Sequence, residues 1–345
     1  MNSKKKKCLI FICALIGSVI LLDFMLAQPS MRKIVFKEIH EGDYPIIVVG
    51  QSHAETAIDP FVLSDNPEGK QAYNLARRLT SLNNMYYVIK EANRDGNVEK
   101  VYMEIDEAYW HKNTGTIKRG TDSNLLYSLS WRYKPEYFMR EILGQNYNNA
   151  IFNYNMDIKS VIRIPGNIKV KIDKRYINRE PEAVELINKT LHMGKSYEYK
   201  GRGFRAGFSK SGIAYDELRD FKGSKIKQEQ KDKFKEICDY CIENDIELVC
   251  FVSALPKYRI VNENHDAVNE YFDKLCADNG VKFFDFNYAK SEYLGRTNAD
   301  YVDIDGHMMG DLARRQTELL KMVDSSENPD EYFYDTYDEV IASFE

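Results

Sequence analysis

The sequence predicts an α/β domain in which three layers, αβα, are built around a five-stranded, mostly parallel sheet. Three observations predict this fold class. Five short apolar segments have the length of strands, and segments with a helical period separate them. Strand–helix–strand spacing of this kind is typical of parallel sheets with right-handed crossovers. In addition, the run 45–49 has no polar break, as expected for a strand buried on both faces.

The elements follow one another regularly up to residue 107 and again from residue 225. Strands are predicted at 45–49, 72–75, 98–105, 246–252 and 281–286, and helices at 79–93, 225–244, 262–279 and 306–322. The part between them, about 107–222, is rich in Tyr, Asn, Lys and Arg and has a helical pattern only at 134–143 and 180–192. We interpret it as a large insertion after the third strand that lies over the sheet edge or over the functional site.

The N-terminus has the pattern of a membrane anchor. Four consecutive lysines, Lys4 to Lys7, precede an apolar stretch, 8–27, whose only charged residue is Asp23. About 20 apolar residues can span a bilayer as a helix, and the flanking positive charge keeps that end in the cytoplasm. The sequence therefore predicts an anchor, 1–28, that enters the lipid bilayer through 8–27, and an extracytoplasmic domain, 29–345.

A cleaved signal peptide is the alternative interpretation of the same stretch. Its cleavage site would be Met25-Leu26-Ala27, which has an unsuitable residue three positions before the cut. We therefore favour an uncleaved, single-pass anchor in the cell membrane.

Charge and cysteine content argue against several classes of function. The net charge of −5 gives no reason to expect a nucleic-acid partner. Of the six cysteines, Cys238 and Cys241 form a Cys-x-x-Cys pair, but it lies in a helical context without a second cysteine pair or a histidine pair. Zinc sites need such further ligands. No metal and no other cofactor is predicted, and a disulfide among the last four cysteines is left open.

Ser52 follows the first predicted strand almost directly, after Gly50 and Gln51. A strand, a glycine turn and a helix place it at the carboxyl end of a strand and at a helix N-terminus. Main-chain N–H groups favour negative charge there, so the serine could attack a carbonyl group while N–H groups hold the oxyanion. In the second interpretation Ser52 only caps the helix, a position that serine favours.

A second polar cluster precedes the last predicted helix, in the stretch NADYVDIDGHMMGDLA, 298–313. Asp303 and Asp305 lie four and two residues before His307. A histidine beside a carboxylate can act as a general base, because the carboxylate holds the imidazole in one tautomer. His53 also lies in a turn before a helix. The remaining histidines are predicted to lie at the surface: His40, His111, His192 and His265.

Together these stretches resemble the SGNH (GDSL-like) hydrolase superfamily. Five blocks carry the resemblance: VVGQSHAETAIDP, YNLARRLTSLNNMYYVIK, VYMEIDEAYW, FVSALP and YVDIDGHMMGDLARR. It covers 44–106 and 225–323 but not the insertion, and it points to the membrane-anchored, DltD-like branch. That branch works with membrane-bound O-acyltransferases on wall polymers and exopolysaccharides. The resemblance implies a flavodoxin-like, three-layer domain.

The resemblance also implies roles for individual residues. Ser52 matches the nucleophile and His307 the base. The family usually has its aspartate three residues before the histidine, where this chain has Ile304. Asp305 is the preferred partner of His307, because some extracellular acetyltransferase relatives have Asp-x-His, and Asp303 is the alternative. The nearest candidates for oxyanion or substrate contacts are Gln51, Asn74 and Arg77.

Two further charged groups have competing interpretations. Glu104 and Asp106, at the end of the third strand, resemble a carboxylate pair for metal or acid–base chemistry, but such residues more often cap a helix or bind an arginine. The basic, glycine-rich run KGRGFRAGFSK, 200–210, could hold phosphate or an anionic polymer, and a solvated loop is an equal alternative.

The expected function is that of a membrane-anchored, extracytoplasmic serine esterase or O-acyltransferase acting on acyl groups of a cell-wall or surface polysaccharide. Its expected partners are an acylated glycan or other cell-surface polymer and a membrane-bound O-acyltransferase. The alternative is a catalytically weak accessory protein that uses the same fold to bind the polymer or the acyltransferase. An intact cluster of Ser52, His307 and an aspartate favours the enzyme, and a separated cluster favours the scaffold.

Overall fold

The computed structural model describes residues 3–105, 110, 115–143, 158–190, 196–210, 221–262 and 264–343. At its centre is a five-stranded sheet in which all neighbouring strands are parallel. The strands are β1 (Ile46–Val49), β2 (Ala72–Asn74), β3 (Lys100–Glu104), β4 (Tyr197–Gly201), β5 (Phe204–Gly207), β6 (Glu247–Val252) and β7 (Lys282–Asp285). The order in the central sheet is β2-β1-β3-β6-β7, which confirms the predicted parallel sheet.

The strand order reverses beside β1. From β1 the chain first moves to β2 at one edge of the sheet and then crosses back to β3 on the other side of β1. In open parallel sheets, ligand sites form at such a switch point, outside the carboxyl ends of the strands. The residues that directly follow β1 and β3 therefore lie where a site is expected.

Helices fill most of the chain between the strands. The helices are α1 (Ser3–Leu26), α2 (Arg32–Glu41), α3 (Ser52–Ala57), α4 (Pro60–Leu63), α5 (Leu82–Ala92), α6 (Gly115–Ser128), α7 (Lys134–Tyr137, continued by a π-helical turn, Phe138–Leu143), α8 (Ile158–Ile172), α9 (Lys174–Ile177), α10 (Glu182–Thr190), α11 (Gln228–Glu243), α12 (Lys257–Asn262), α13 (His265–Asp278), α14 (Ser291–Leu294), α15 (Gly310–Ser325) and α16 (Tyr337–Ala342). The helices predicted at 79–93, 225–244, 262–279 and 306–322 correspond to α5, α11, α13 and α15.

Successive side chains of β1 point to opposite faces of the sheet, and each face has its own apolar core. Ile47 and Val49 belong to the core that includes side chains of α5, α11 and α13. Ile46 and Val48 belong to a second core, which includes side chains of α3 and α15. Helices therefore cover both faces, the arrangement that buries a parallel sheet completely.

The strands β4 and β5 form a separate antiparallel hairpin. Its turn lies against the end of β2, where Asn74 N donates to Arg202 O at 2.9 Å. A Cβ atom on Gly203 would overlap Asn74 O, so this close approach requires glycine. At the other end of the hairpin, Gly207 pairs with Met309 just before α15. Much of the run 200–210 is therefore an ordered strand pair and not a solvated loop.

The N-terminal helix α1 is, within the described residues, the helix long and apolar enough to cross a membrane. Its large apolar side chains are exposed from Leu9 to Leu22, whereas Leu26 and Ala27 are buried. The structure thus confirms one apolar helix at the N-terminus.

The structure also shows the state of the cysteines and the position of His265. All six cysteines are free, and the four that the sequence analysis left open for a disulfide are buried. His265, predicted to lie at the surface, is 1% exposed, and its Nε2 lies 2.8 Å from Asp285 Oδ2. That prediction was wrong, because the carboxylate at the end of β7 allows a polar residue of α13 to face inward.

Candidate active site

Ser52 is the first residue of α3 and lies three residues after the end of β1, at the switch point of the sheet. Gly50 makes the intervening turn possible. A Cβ atom there would lie 2.7 Å from Ala54 Cβ and 2.8 Å from Glu104 Cβ, distances that real Cβ atoms do not tolerate. The glycine after β1 is therefore required by the close packing of α3 against β3.

Glu104, at the end of β3, contacts the turn between β1 and α3. It is fully buried, and its carboxylate accepts hydrogen bonds from Gln51 N at 3.1 Å and from Ser253 Oγ at 2.8 Å. These contacts give Glu104 a structural role beside Ser52. Asp106, its predicted partner in a carboxylate pair, lies outside the described residues.

Asn74 ties α3 to the sheet. Its Nδ2 donates to Ala54 O and Ile58 O, both at 2.8 Å, and its Oδ1 accepts from Ala76 N at 2.9 Å. Both amide hydrogens are thereby used, and the residue has no exposed surface. The predicted oxyanion role of Asn74 is therefore contradicted, because its contacts leave no N–H group for a substrate.

Arg77 joins the hairpin to the loop after β2. Its Nη1 donates to Ala76 O at 2.7 Å and to Gly203 O at 2.8 Å. The same nitrogen lies 3.7 Å from Glu55 Oε1, in α3. Arg77 thus compensates the charge of a buried carboxylate, and it makes no hydrogen bond to Ser52 in the described structure. Its predicted role in substrate contact stays a prediction.

His307 lies in the loop that leads into α15, and Asp303 binds its ring. Nδ1 is 2.9 Å and 2.8 Å from the two carboxylate oxygens of Asp303. A carboxylate only accepts hydrogen bonds, so Nδ1 carries the hydrogen, and Nε2 of the neutral ring has the lone pair that can take a proton. Burial raises the pKa of Asp303, but the hydrogen bonds and positive charge of His307 outweigh burial and lower it overall. An ionised Asp303 can stabilise a protonated imidazole.

Asp305 occupies a different position in this loop. Its main-chain oxygen is 2.7 Å from His53 Nε2 and also accepts a hydrogen bond from Arg259. Its carboxylate atom Oδ1 is buried without a hydrogen-bond partner among the described residues. The preference for Asp305 is thus corrected: the carboxylate that contacts Nδ1 of His307 belongs to Asp303, which the sequence analysis kept as the alternative.

Two contacts attach the loop of His307 to α3. One is the hydrogen bond from His53 to the main chain of Asp305, and the other runs from Met308 N to Thr56 Oγ1 at 3.3 Å. As a result, the rings of His53 and His307 lie with their centroids 5.2 Å apart. Ser52 directly precedes His53, so the first and last parts of the chain meet at one site.

The Ser52 side chain is half-buried, and its Oγ makes no hydrogen bond to His307 or to another group within the described residues. No protein-family model matches the chain, and a search of curated proteins finds no match either. Ser52 is connected to His307 through the ring contact of its neighbour His53. Nucleophilic catalysis needs a serine within reach of a histidine that an aspartate orients, and the hydrogen bonds of such sites are often looser without substrate.

Tyr197, which the sequence analysis missed, completes the surroundings of Asp303. Its hydroxyl group donates to Asp303 Oδ2 at 3.3 Å, and its ring stands edge-on to His307 with 6.1 Å between centroids. Arg205 lies over the Tyr197 ring, 5.3 Å from its centroid, and 3.6 Å from Glu55 of α3. Alternating tyrosines before a Gly-Arg-Gly turn were the available signal for a hairpin, but they do not indicate its contact with His307.

A cation is another ligand that this cluster could hold. One potential ligand atom from each of Asp303, Asp305 and His307 lies within 4.8 Å of the others. Oxygen and imidazole ligands suit several divalent metals. However, both oxygens of Asp303 already face Nδ1 of His307, and a cation between them would displace that hydrogen bond. The arrangement therefore favours proton transfer over metal binding.

Proposed function

We propose that the chain is an extracytoplasmic serine esterase or O-acyltransferase, held at the cell membrane by α1, that acts on acyl groups of a cell-wall or surface polysaccharide. The hydrogen bond between His307 Nδ1 and Asp303, beside the helix that begins with Ser52, carries the catalytic part of this proposal. The resemblance to DltD-like SGNH hydrolases supports the substrate class. If the chain has the architecture of that family, the sheet and its helices form the flavodoxin-like domain, and residues of about 107–222 form an insertion in it.

The proposed reaction has two steps. Ser52 Oγ attacks the ester carbonyl carbon while His307 Nε2 takes the hydroxyl proton, and Asp303 stabilises the resulting imidazolium. The ester C–O bond then breaks, His307 returns the proton to the leaving alcohol, and the acyl group stays on Ser52. In the second step His307 takes a proton from water or from a sugar hydroxyl group, and the oxygen of that group attacks the acyl carbon. The bond between the acyl group and Ser52 Oγ breaks, and His307 returns the proton to the serine oxygen. Water gives hydrolysis, and the sugar hydroxyl group gives transfer.

Labelling with a serine-reactive phosphonate tests the proposal. The wild type should be labelled at Ser52, and both Ser52→Ala and His307→Gln should prevent labelling. His265→Gln is the matched control, because His265 also contacts an aspartate but lies in the core; it should lower the thermal stability and leave the folded fraction reactive.

Stability measurements separate a chemical from a structural effect at Ser52. Loss of a helix cap costs about 0.5–2 kcal/mol, so Ser52→Ala should unfold close to the wild-type temperature. Full activity of this variant on an acylated polymer would contradict the serine mechanism. Loss of wild-type activity on addition of a chelator would point to metal-dependent hydrolysis instead.

A catalytically weak accessory protein is the second candidate, and two observations favour it. Ser52 Oγ is not hydrogen-bonded to His307 within the described residues, and Asn74 is not available to an oxyanion. Such a protein would bind the polymer or a membrane-bound O-acyltransferase through the same fold. It would co-sediment with acylated polymer or co-purify with the acyltransferase, and neither property would change in Ser52→Ala.

A further inference from the structure

Helix α8 is fixed to the end of α1 by side chains that bind the last main-chain carbonyl groups of α1. Asn167 Nδ2 donates to Met25 O and Leu26 O, both at 3.2 Å. Lys171 Nζ donates to Phe24 O at 2.6 Å. The last four carbonyl groups of a helix have no partner within the helix, and a positive charge is favourable at that end. Asn167 and Lys171 thus cap α1 and hold α8 across its end.

Apolar side chains lie on two opposite sides of α8, and only one side packs against the domain. Val170 is fully buried in a small core shared with α2 and α10. At 3.6 residues per turn, Val161 and Ile172 point about 160–180° away from Val170. Val161 is 50% exposed and Ile172 is 62% exposed. Ile162, next to Val161, and Ile177, in α9, are exposed as well.

The same segment is strongly basic. Residues 158–178 contain six Lys or Arg and one Asp. Arg163, Lys169 and Lys174 are exposed and make no ion pair among the described residues. On the helix, Lys169 lies about 80° from Val161, so its long aliphatic stem flanks the exposed apolar side. Lysines in this position can keep their charged ends at the level of lipid headgroups while their stems lie against apolar surface.

We propose that α8, together with Ile177 of α9, lies in the interface of the bilayer around the end of α1 and binds anionic lipid headgroups. The inference rests on the proposed anchoring of the chain by α1. An amphipathic helix with a basic polar side lies in the plane of the interface with its apolar side several ångströms deep. Since α8 caps α1, the depth at which α1 leaves the bilayer also sets the depth of α8. Two attachments would then orient the domain, and with it Ser52, relative to the membrane.

Fluorescence quenching on the full-length chain tests this. Each of three variants carries an environment-sensitive label on one exposed cysteine. The first keeps the native Cys13 and has Cys8→Ala. The other two have both Cys8→Ala and Cys13→Ala, and the labelled cysteine is introduced by Ile172→Cys or by Ile242→Cys. The four remaining cysteines are buried. Ile242 is the matched control, since it is 67% exposed on α11. The proteins are reconstituted in phosphatidylcholine–phosphatidylglycerol vesicles that contain lipids with a nitroxide quencher near the headgroup.

We expect strong quenching at positions 13 and 172 and several-fold weaker quenching at 242. Quenching at 13 without quenching at 172 would overturn the interfacial position of α8 and leave the anchor intact. No quenching at 13 would refute the anchor itself, and with it this inference. Reversing charge with Arg163→Glu and Lys169→Glu should weaken quenching at 172 in these vesicles but not in phosphatidylcholine alone; an equal effect in both would overturn the role of anionic headgroups.

Discussion

At the scale of single residues, a tight turn decides which aspartate meets His307. Gly306 N donates to Asp303 O at 3.3 Å, and Gly306 has a φ of +97°, in the left-handed region that glycine adopts readily. The chain therefore folds back so that side chains four residues apart face each other. Asp305, inside the turn, instead offers its main-chain oxygen to His53.

This turn predicts a ranking of two aspartate variants. Asp303→Asn should reduce kcat far more than Asp305→Asn, because only Asp303 contacts Nδ1 of His307. Replacing the aspartate of a Ser-His-Asp triad by asparagine lowers kcat about ten-thousand-fold in serine proteases. Initial rates on an acylated polymer or a model ester measure both variants, and the reverse ranking would return the orienting role to Asp305.

The candidate residues themselves could be read from the sequence, but their pairing could not. Ser52 stands out because it closely follows an apolar strand. His307 stands out because it precedes a helix and has polar neighbours. The choice between Asp303 and Asp305 depends on the backbone angles of one glycine, and the spacing of residues in the sequence does not give these angles. Asn74 was misassigned for a related reason: an amide near the site can bind substrate or the main chain, and only the structure shows Ala54 and Ile58 in reach.

At the scale of elements, the hairpin of β4 and β5 brings a hydroxyl group to Asp303, and this has a testable effect on pH dependence. Tyr197→Phe removes a donor to the ionised carboxylate, so the lowered pKa of Asp303 should rise toward its usual value. The acidic limb of the pH–rate profile should then move to higher pH. A hydrogen bond contributes about 0.5–1.5 kcal/mol net, so kcat should fall up to about tenfold.

Tyr199→Phe is the control for this prediction, because Tyr199 lies in the same strand but its hydroxyl oxygen accepts from Gly203 N at 3.2 Å, in the hairpin turn. It should leave the pH–rate profile unchanged. If both variants shift the profile equally, the effect comes from the hairpin as a whole and not from the contact with Asp303.

The attachment of α3 to the sheet gives a prediction about stability. Asn74→Ala leaves the buried carbonyl group of Ile58 and the N–H group of Ala76 without partners, and it leaves Ala54 O with only the bond from Ile58 N at 3.4 Å. Each unpaired buried group costs about 1–3 kcal/mol. Asn66 offers the comparison, since its Nδ2 also donates twice, to Leu63 O and Lys70 O, but the residue is only half-buried and water can replace it. Thermal unfolding in detergent should show a much larger decrease for Asn74→Ala than for Asn66→Ala; similar decreases would contradict this assignment.

At the scale of the whole molecule, the sheet was predictable because parallel strands buried on both faces leave uninterrupted apolar runs. The segment between the third and fourth strands of the sheet was not, since its elements gain their stability from distant partners. The hairpin depends on β2 and on the loop before α15, and α8 depends on the end of α1. Neither partner is near in sequence, so local periodicity carries no signal of these contacts.

The final prediction follows from the way α1 continues into the domain. Leu26 and Ala27 are 7% and 8% exposed, and Tyr127 donates to Asp23 Oδ1 at 2.7 Å. Cleavage after Ala27 would remove this acceptor and the carbonyl groups that Asn167 binds. Because the domain would lose part of its own packing, we expect the mature protein to keep α1.

Fractionation and mass measurement test this expectation together. The protein should stay with membranes after a high-salt wash, since about 20 apolar residues bind lipid independently of ionic strength, and its intact mass should include residues 1–27. Protease added to spheroplasts should digest the domain but not the lysine-rich N-terminus, which the flanking positive charge keeps inside. A soluble product that begins at Gln28 would establish a signal peptide instead, and the contacts of Asn167 and Tyr127 would then be lost in the working protein.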